Sequence, residues 1–161
     1  MNSKVITIGG NGVNSVEVGE NKPLIFIGGP CAIESEIHTL NMAEEISKIC
    51  RDVGIKWIFK SCYDKDCRSS KDSFHGVGIS EGLKILSKVR DKFRVPVVSD
   101  FSDASWAEKT AEVCDLLQIP AYLCRQTSIL RSAALTKKPI HLKKGQFMSP
   151  WNMKNSVRKL E

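Results

Sequence analysis

Two different apolar patterns divide the chain. Val5-Ile6-Thr7-Ile8 and Val13-Asn14-Ser15-Val16-Glu17-Val18 alternate at period two on either side of Gly9-Gly10-Asn11-Gly12. Glycine and asparagine supply the left-handed backbone of a tight turn, so residues 1–20 are expected to form a hairpin. From residue 21 onward the grammar changes. Leu24-Ile25-Phe26-Ile27 is an unbroken apolar run ending in Gly28-Gly29-Pro30-Cys31. Ile33 to Val53 follows with helical texture, Ile37, Leu40, Met42, Ile46 and Ile49 forming the expected apolar face and Gly54 the stop. The same unit recurs: Trp57-Ile58-Phe59-Lys60, a long polar loop and a helix around Ser80–Phe93; Val95 to Asp100 and a helix around Asp103–Val113; Leu116-Leu117-Gln118 and a helix around Gln126–Leu135; and Ile140-His141-Leu142-Lys143 before a closing helix from about Pro150.

Short apolar runs alternating with amphipathic helices are the signature of parallel strands buried on both faces. Five such βα units fill residues 21–161, making the chain one α/β domain behind its hairpin. Taking Ile27 and Leu142 as matching points, the repeat is about 29 residues, which suits a (β/α) barrel whose eight units typically take about 250 residues. A doubly wound sheet is the rival. No Gly-x-Gly-x-x-Gly follows the first buried strand, which removes the simplest dinucleotide-binding version of that rival.

Composition narrows the function classes. Hydrophobic residues make up 42% of the 161, which is ordinary for a globular chain and excludes a disordered one. The longest apolar runs fall far short of the roughly 20 residues that a bilayer needs, and no secretory leader is read at the start, so a cytoplasmic protein is expected. Lys and Arg exceed Asp and Glu by 24 to 18, a net charge of +6, but they are scattered and do not interleave with aromatics. Small anionic metabolites are therefore a better match than nucleic acid or a membrane surface. Six cysteines without a Cys-x-x-Cys pair are expected to be reduced thiols.

The strand ends concentrate chemistry. Cys31, Lys60, Asp100, Gln118 and Lys143 each close an apolar run, and barrels place their reacting groups at the C-terminal ends of strands. The segment from Lys60 to Ser70 holds Lys60, Lys65, Arg68, Ser69 and Ser70. These supply ammonium, guanidinium and hydroxyl donors suited to phosphate and carboxylate oxygens. Gln118-Ile119-Pro120-Ala121 with Arg125, and Lys143-Lys144, add donors from other strand ends.

Four blocks carry a family resemblance. Gly29-Pro30-Cys31-Ala32-Ile33-Glu34-Ser35, Lys60 with Asp64-Lys65-x-x-Arg68-Ser69-Ser70, Gln118 to Thr127, and Lys143-Lys144-Gly145-Gln146-Phe147-x-x-Pro150-Trp151 together resemble the 3-deoxy-D-manno-octulosonate 8-phosphate (Kdo-8-phosphate) synthase family, in its order and near its spacing. The resemblance implies a TIM barrel of which these residues are the first five units. It also implies condensation of phosphoenolpyruvate with D-arabinose 5-phosphate, on the way to lipopolysaccharide. By the same match Lys60, Lys65, Asp100 and Lys143 are expected to act in catalysis, with Arg68, Ser69, Gln118, Pro120, Ala121 and Arg125 binding substrate. Cys31 matches the thiolate ligand of the metal-dependent branch, so a divalent metal is expected, with a site left incomplete within these five units. Intact family members are expected to be homotetramers. Rival readings are a non-catalytic remnant that binds anionic metabolites or synthase subunits, and the sister 3-deoxy-arabino-heptulosonate 7-phosphate synthase, whose Lys-Pro-Arg-Thr-Ser-type second block is absent here. The chain departs from the family pattern at Asp66 and Cys67, at Ser102-Asp103, at Ser128 and at His75.

Overall fold

The computed structural model describes residues 5–161. β1 (Ile6–Gly10) and β2 (Val13–Val18) pair antiparallel, with Asn11 and Gly12 at φ 49° and 95° making the turn. Gly9 is required here: at φ 89°, a Cβ would come within 2.8 Å of the Pro96 ring and 2.7 Å of the Asn14 carbonyl. The expected hairpin is present, apart from Met1–Lys4, which lie outside the described residues.

The remaining strands are β3 (Ile25–Gly28), β4 (Lys56–Lys60), β5 (Val97–Asp100), β6 (Leu116–Ile119) and β7 (Ile140–Leu142). They form one parallel sheet in the order β3-β4-β5-β6-β7. Between them run α1 (Glu36–Asp52), α2 (Ile79–Phe93), α3 (Ala107–Val113) and α4 (Thr127–Leu135), and α5 (Met153–Val157) follows β7. A doubly wound sheet would reverse direction at an inner strand. Here each strand pairs with the next in sequence, which is the wall of a barrel.

Alternate residues of each strand divide between two cores, as a parallel strand covered on both sides requires. Phe59, Val97, Leu117 and Ile119 pack with the helices, among Ile33, Leu83, Leu86, Ala111 and Leu130. Ile58, Val98 and Leu116 face the other way and meet Ile8 and Val16 of the hairpin, with Ile25 and Ile27 beside them. The hairpin therefore closes the N-terminal end of the inner face. Arg94 at the end of α2 fastens it: its carbonyl accepts from Asn14 N at 2.9 Å and its Nη1 donates to the Gly12 carbonyl at 3.1 Å.

Helix boundaries follow local capping. α1 starts at Glu36, three residues after the expected start, because the Ser35 hydroxyl caps it by accepting from His38 N. Ile33 lies before the helix, buried, with its N–H given to the Cys62 carbonyl at 2.9 Å. Of the expected apolar face of α1, Leu40 packs against the core but Ile37 and Ile49 do not. Thr39, Ala43 and Cys50 are the buried positions, while Ile37 is 74% and Ile49 60% exposed. At 100° per residue those two isoleucines point about 140° and 100° away from the buried stripe. Small residues win the inward positions because they let the helix approach the sheet, and the Thr39 hydroxyl is satisfied by the Ser35 carbonyl at 2.7 Å. The helix expected from Asp103 splits into a 3-10 turn, Ala104–Trp106, and α3, and Asp103 caps the turn by accepting from Ser105 N at 2.8 Å. Among the described residues no helix is long and apolar enough to cross a membrane.

Candidate active site at the C-terminal strand ends

The register of the sheet brings the strand-end residues together. Lys60 pairs with Val98, Asp100 with Gln118, and Gln118 with His141. Residues that pair across a parallel sheet share a face, as do residues two apart on a strand. Lys60, Asp100, Gln118 and His141 therefore all project from the inner face, and on the first three of these strands the residue two positions earlier is the apolar Ile58, Val98 or Leu116. The loop after β3 runs alongside: Ala32 bridges to Cys62, and the Ser61 hydroxyl donates to the Pro30 carbonyl at 2.9 Å. Gly29 makes this approach possible, because a Cβ there would collide with the Lys60 carbonyl.

Asp100 is the centre. Lys65 Nζ donates to its Oδ2 at 3.2 Å, Lys60 Nζ stands 3.7 Å from Oδ1, and Gln118 Nε2 also donates to Oδ1. Lys60 Nζ donates in addition to Cys62 Sγ at 3.2 Å. Gln118, Lys65 and Asp100 are 1%, 8% and 8% exposed, so the ion pairs operate largely out of water. Burial alone would push the Asp100 carboxyl up, but the Lys60 and Lys65 ammonium groups outweigh it and hold the group below its usual range. Burial would likewise strip the proton from Lys65, yet the Cys62 sulfur and Asp100 outweigh it and keep that lysine more basic than usual. Two cations share one carboxylate. The cluster has positive charge to spare, and a buried excess of ammonium groups is what an incoming phosphate or carboxylate needs.

Lys143 lies one residue beyond β7, its N–H bonded to the Ile119 carbonyl at 3.2 Å, which puts it on the His141 side of the strand. The loop after it folds against the neighbouring one, since a Cβ on Gly145 would lie 3.0 Å from the Ala121 carbonyl. Pro120 borders a narrow cleft with Lys65, Asp100, Ser102 and Tyr122. Burial, and then the charges of Asp66 and Cys67, push the Tyr122 hydroxyl up to about 12, keeping it a neutral donor.

Three expected residues stand apart. Arg68 is exposed and its Nε donates to the Phe74 carbonyl at 3.3 Å; Ser69 and Arg125 are exposed too, and among the described residues no hydrogen bond joins any of the three to the Asp100 cluster. His75 Nδ1 stands 3.7 Å from Asp64. Cys31 is an exposed thiol past the end of β3. Among the described residues no three His, Cys, Asp or Glu side chains gather closely enough to hold a metal ion. A specific site needs three or four donors, so the residues present do not fit the expected metal. Cys62 is the member that the residue pattern did not single out. It lies two positions after Lys60, hence on the same side of the chain, and that spacing was the available signal.

Residues 5–161 match the DAHP synthetase I family. Over 158 residues the chain is 49% identical to a protein of Geobacter sp. (strain M21) named 2-dehydro-3-deoxyphosphooctonate aldolase, a match covering 98% of this chain and 56% of that one. Proteins of the same name from Desulfotalea psychrophila and Rickettsia felis are 48% and 47% identical over 147 and 149 residues, covering 91% and 92% of this chain and 52% and 54% of theirs. The chain thus spans about half the length of the curated relatives it matches. Sequence match, strand order and the lysine-rich strand ends agree: the chain belongs to the DAHP synthetase I family.

Proposed function

We propose that these residues form the phosphoenolpyruvate-binding part of a Kdo-8-phosphate synthase, a cytoplasmic enzyme that condenses phosphoenolpyruvate with D-arabinose 5-phosphate and water to give Kdo 8-phosphate and inorganic phosphate. The observation that carries this reading is the buried Lys60–Asp100–Lys65–Gln118 cluster at the ends of adjacent parallel strands. The relatives' shared name points to the same condensation.

The reaction asks the protein to hold two polyanions within bonding distance despite their repulsion, which is proximity and electrostatic work. Lys60 and Lys65 take the carboxylate and phosphate oxygens of phosphoenolpyruvate, displacing part of their contact with Asp100. Gln118 and the backbone at Pro120–Ala121 fix the orientation of the bound molecule, and Lys143 reaches in from β7. Arg68, Ser69 and Arg125, exposed on the loops above, are free to meet the sugar phosphate. The enol carbon then attacks the sugar aldehyde, water adds to the resulting cationic carbon, and phosphate leaves by C–O cleavage. Asp100 sits among the cations, where a carboxylate can accept a proton from the added water.

Isothermal titration with phosphoenolpyruvate, paired with a phosphate-release assay in the presence of arabinose 5-phosphate or erythrose 4-phosphate, tests the reading. The chain should bind phosphoenolpyruvate, and Lys60→Ala should weaken binding at least tenfold, about 1.4 kcal/mol for one charge-assisted contact. Equal affinity in the two proteins ends the proposal. Phosphate release with the four-carbon sugar alone transfers the chain to the sister seven-carbon reaction, and binding without release leaves a non-catalytic anion binder.

A further inference from the structure

β7 presents one inner-face side chain that the reading above does not use. Ile140 and Leu142 pair with Leu117 and Ile119 and turn with them towards the helices, so His141 between them faces the barrel interior, level with Gln118. On neighbouring strands the levels below are apolar. Ile25, Ile27 and Leu116 there, with Ile8 of the hairpin, wall a cavity of roughly 290 Å³ whose rim includes His141. The imidazole stands at the border where the inner wall changes from apolar to charged. Lys143, two residues on, emerges on the same side.

We propose that His141 is a further substrate-contacting residue of the anion site, donating a hydrogen bond to an oxygen of the bound anion and taking up a proton as that anion binds. The inference rests on the anion-binding reading and adds the residue that links affinity to protonation.

The charges around the ring explain why. Lys143 faces it from its own strand, Asp100 from β5 and Lys60 from β4; β6 offers the neutral Gln118, and β3 and the hairpin offer only apolar groups. Burial first, and then the Lys143 ammonium, with a smaller push from Lys60, depress the ring's basicity below its ordinary value, against a smaller opposing pull from Asp100. In the free protein these surroundings therefore disfavour a proton on the His141 ring. A polyanion bound to Lys60 and Lys143 cancels the two charges that repel a ring proton and brings acceptor oxygens to the ring. Binding must then raise the imidazole's affinity for a proton, and by reciprocity protonation must tighten the anion by the same factor.

Imidazole NMR titration of the chain measures this directly, because there are three histidines and His141→Asn identifies the signal by its loss. The titrations are run free, with saturating phosphoenolpyruvate, and with inorganic phosphate. The expected result is an upward shift of about one pH unit at His141 with either anion. Equivalently, phosphoenolpyruvate affinity gains about tenfold more on going from neutral pH to below the ring's titration in the native chain than in His141→Asn. The anion's own ionisation is common to both proteins and cancels. A His141 titration unmoved by both anions, or the same pH dependence in the variant, overturns the inference. A shift with phosphate but no binding of phosphoenolpyruvate keeps His141 in an anion site and overturns the substrate reading instead. Phosphoenolpyruvate binding without a His141 shift keeps the substrate reading and removes His141 from it. Failure of both anions to bind overturns both.

Discussion

Two buried ion-pair clusters sit at opposite ends of the same strands, and they are built differently. At the N-terminal end, Arg90 of α2 holds Asp115, just before β6, with a planar fork: Nε to Oδ2 and Nη2 to Oδ1, both at 3.0 Å. The same carboxylate accepts from Val97 N at 3.1 Å, and Arg90 Nη2 also reaches the Asn11 carbonyl of the hairpin at 3.4 Å. Helix, sheet and hairpin thus satisfy one another. At the C-terminal end, Lys60 and Lys65 meet Asp100 through single-point contacts at 3.7 and 3.2 Å, with one positive charge in excess. Arginine was used where the geometry is closed, and lysine where it is open. The closed cluster has nothing left to offer a ligand. On the proposed reading the open one is the anion-binding site, with the Asp100 carboxylate in part of the ligand's place, which is the division that barrels draw between their stabilising and reacting ends.

The largest effect should therefore come from the lower cluster. Asp115→Ala leaves the Val97 N–H without its partner and the Arg90 guanidinium with only the long contacts to the Asn11 carbonyl and Asp91, and removal of one member of a buried pair costs about 3–5 kcal/mol. Urea unfolding should show a loss of that size, and saturating phosphoenolpyruvate should recover no more of it than it adds to the native chain. A loss under about 1 kcal/mol would mean that the fork is solvated and the two ends are alike.

The next effect is a pH dependence at the same end. Cys114 is completely buried beside Asp115, and burial first, then that carboxylate, push its thiol up to about 12. The folded value lies above the unfolded one, near 9. Its contribution is therefore complete below about pH 9 and disappears as pH rises towards 12, where the unfolded chain gains by releasing the proton first. Between pH 8 and pH 10 this amounts to about 1.4 kcal/mol. Cys114→Ala has its own cavity cost at both pH values, but its stability should fall by about 1.4 kcal/mol less across that interval. Equal falls in the two proteins would show that Cys114 ionises as readily folded as unfolded.

The contrast between the ends also explains what the residue pattern could reveal. Parallel order, the hairpin and the meeting of Lys60, Asp100 and Gln118 follow from short apolar runs with polar ends, because the strand period fixes which side chains share a face. The face of α1 was not legible. Ile37 and Ile49 look more apolar than Thr39 and Ala43, but the approach of helix to sheet selects for size over hydrophobicity. Cys62 was hidden among six cysteines, although its spacing from Lys60 marks it. The Arg90–Asp115 fork joins residues 25 apart through a packing arrangement that no local motif encodes.

The smallest expected change separates the two designs most directly. Asp100→Asn keeps the shape and the Gln118 contact while removing the negative charge that Lys60 and Lys65 share. If Asp100 stands in for an anion, its carboxylate competes with phosphoenolpyruvate, and the variant should bind that ligand more tightly. A charge several ångströms from the ligand, at an effective dielectric between protein and water, gives about 1 kcal/mol, roughly fivefold in Kd. The ligand-free variant should also melt below the native chain, since two ammonium groups now face each other, and phosphate should raise its Tm by more than it raises the native one. Asp115→Ala, whose Lys60–Lys65–Asp100 cluster is unchanged, should gain no more from phosphate than the native chain does. Weaker binding by Asp100→Asn would mean that the carboxylate orders the lysines instead of occupying the ligand's place, and the upper cluster would then be as closed as the lower.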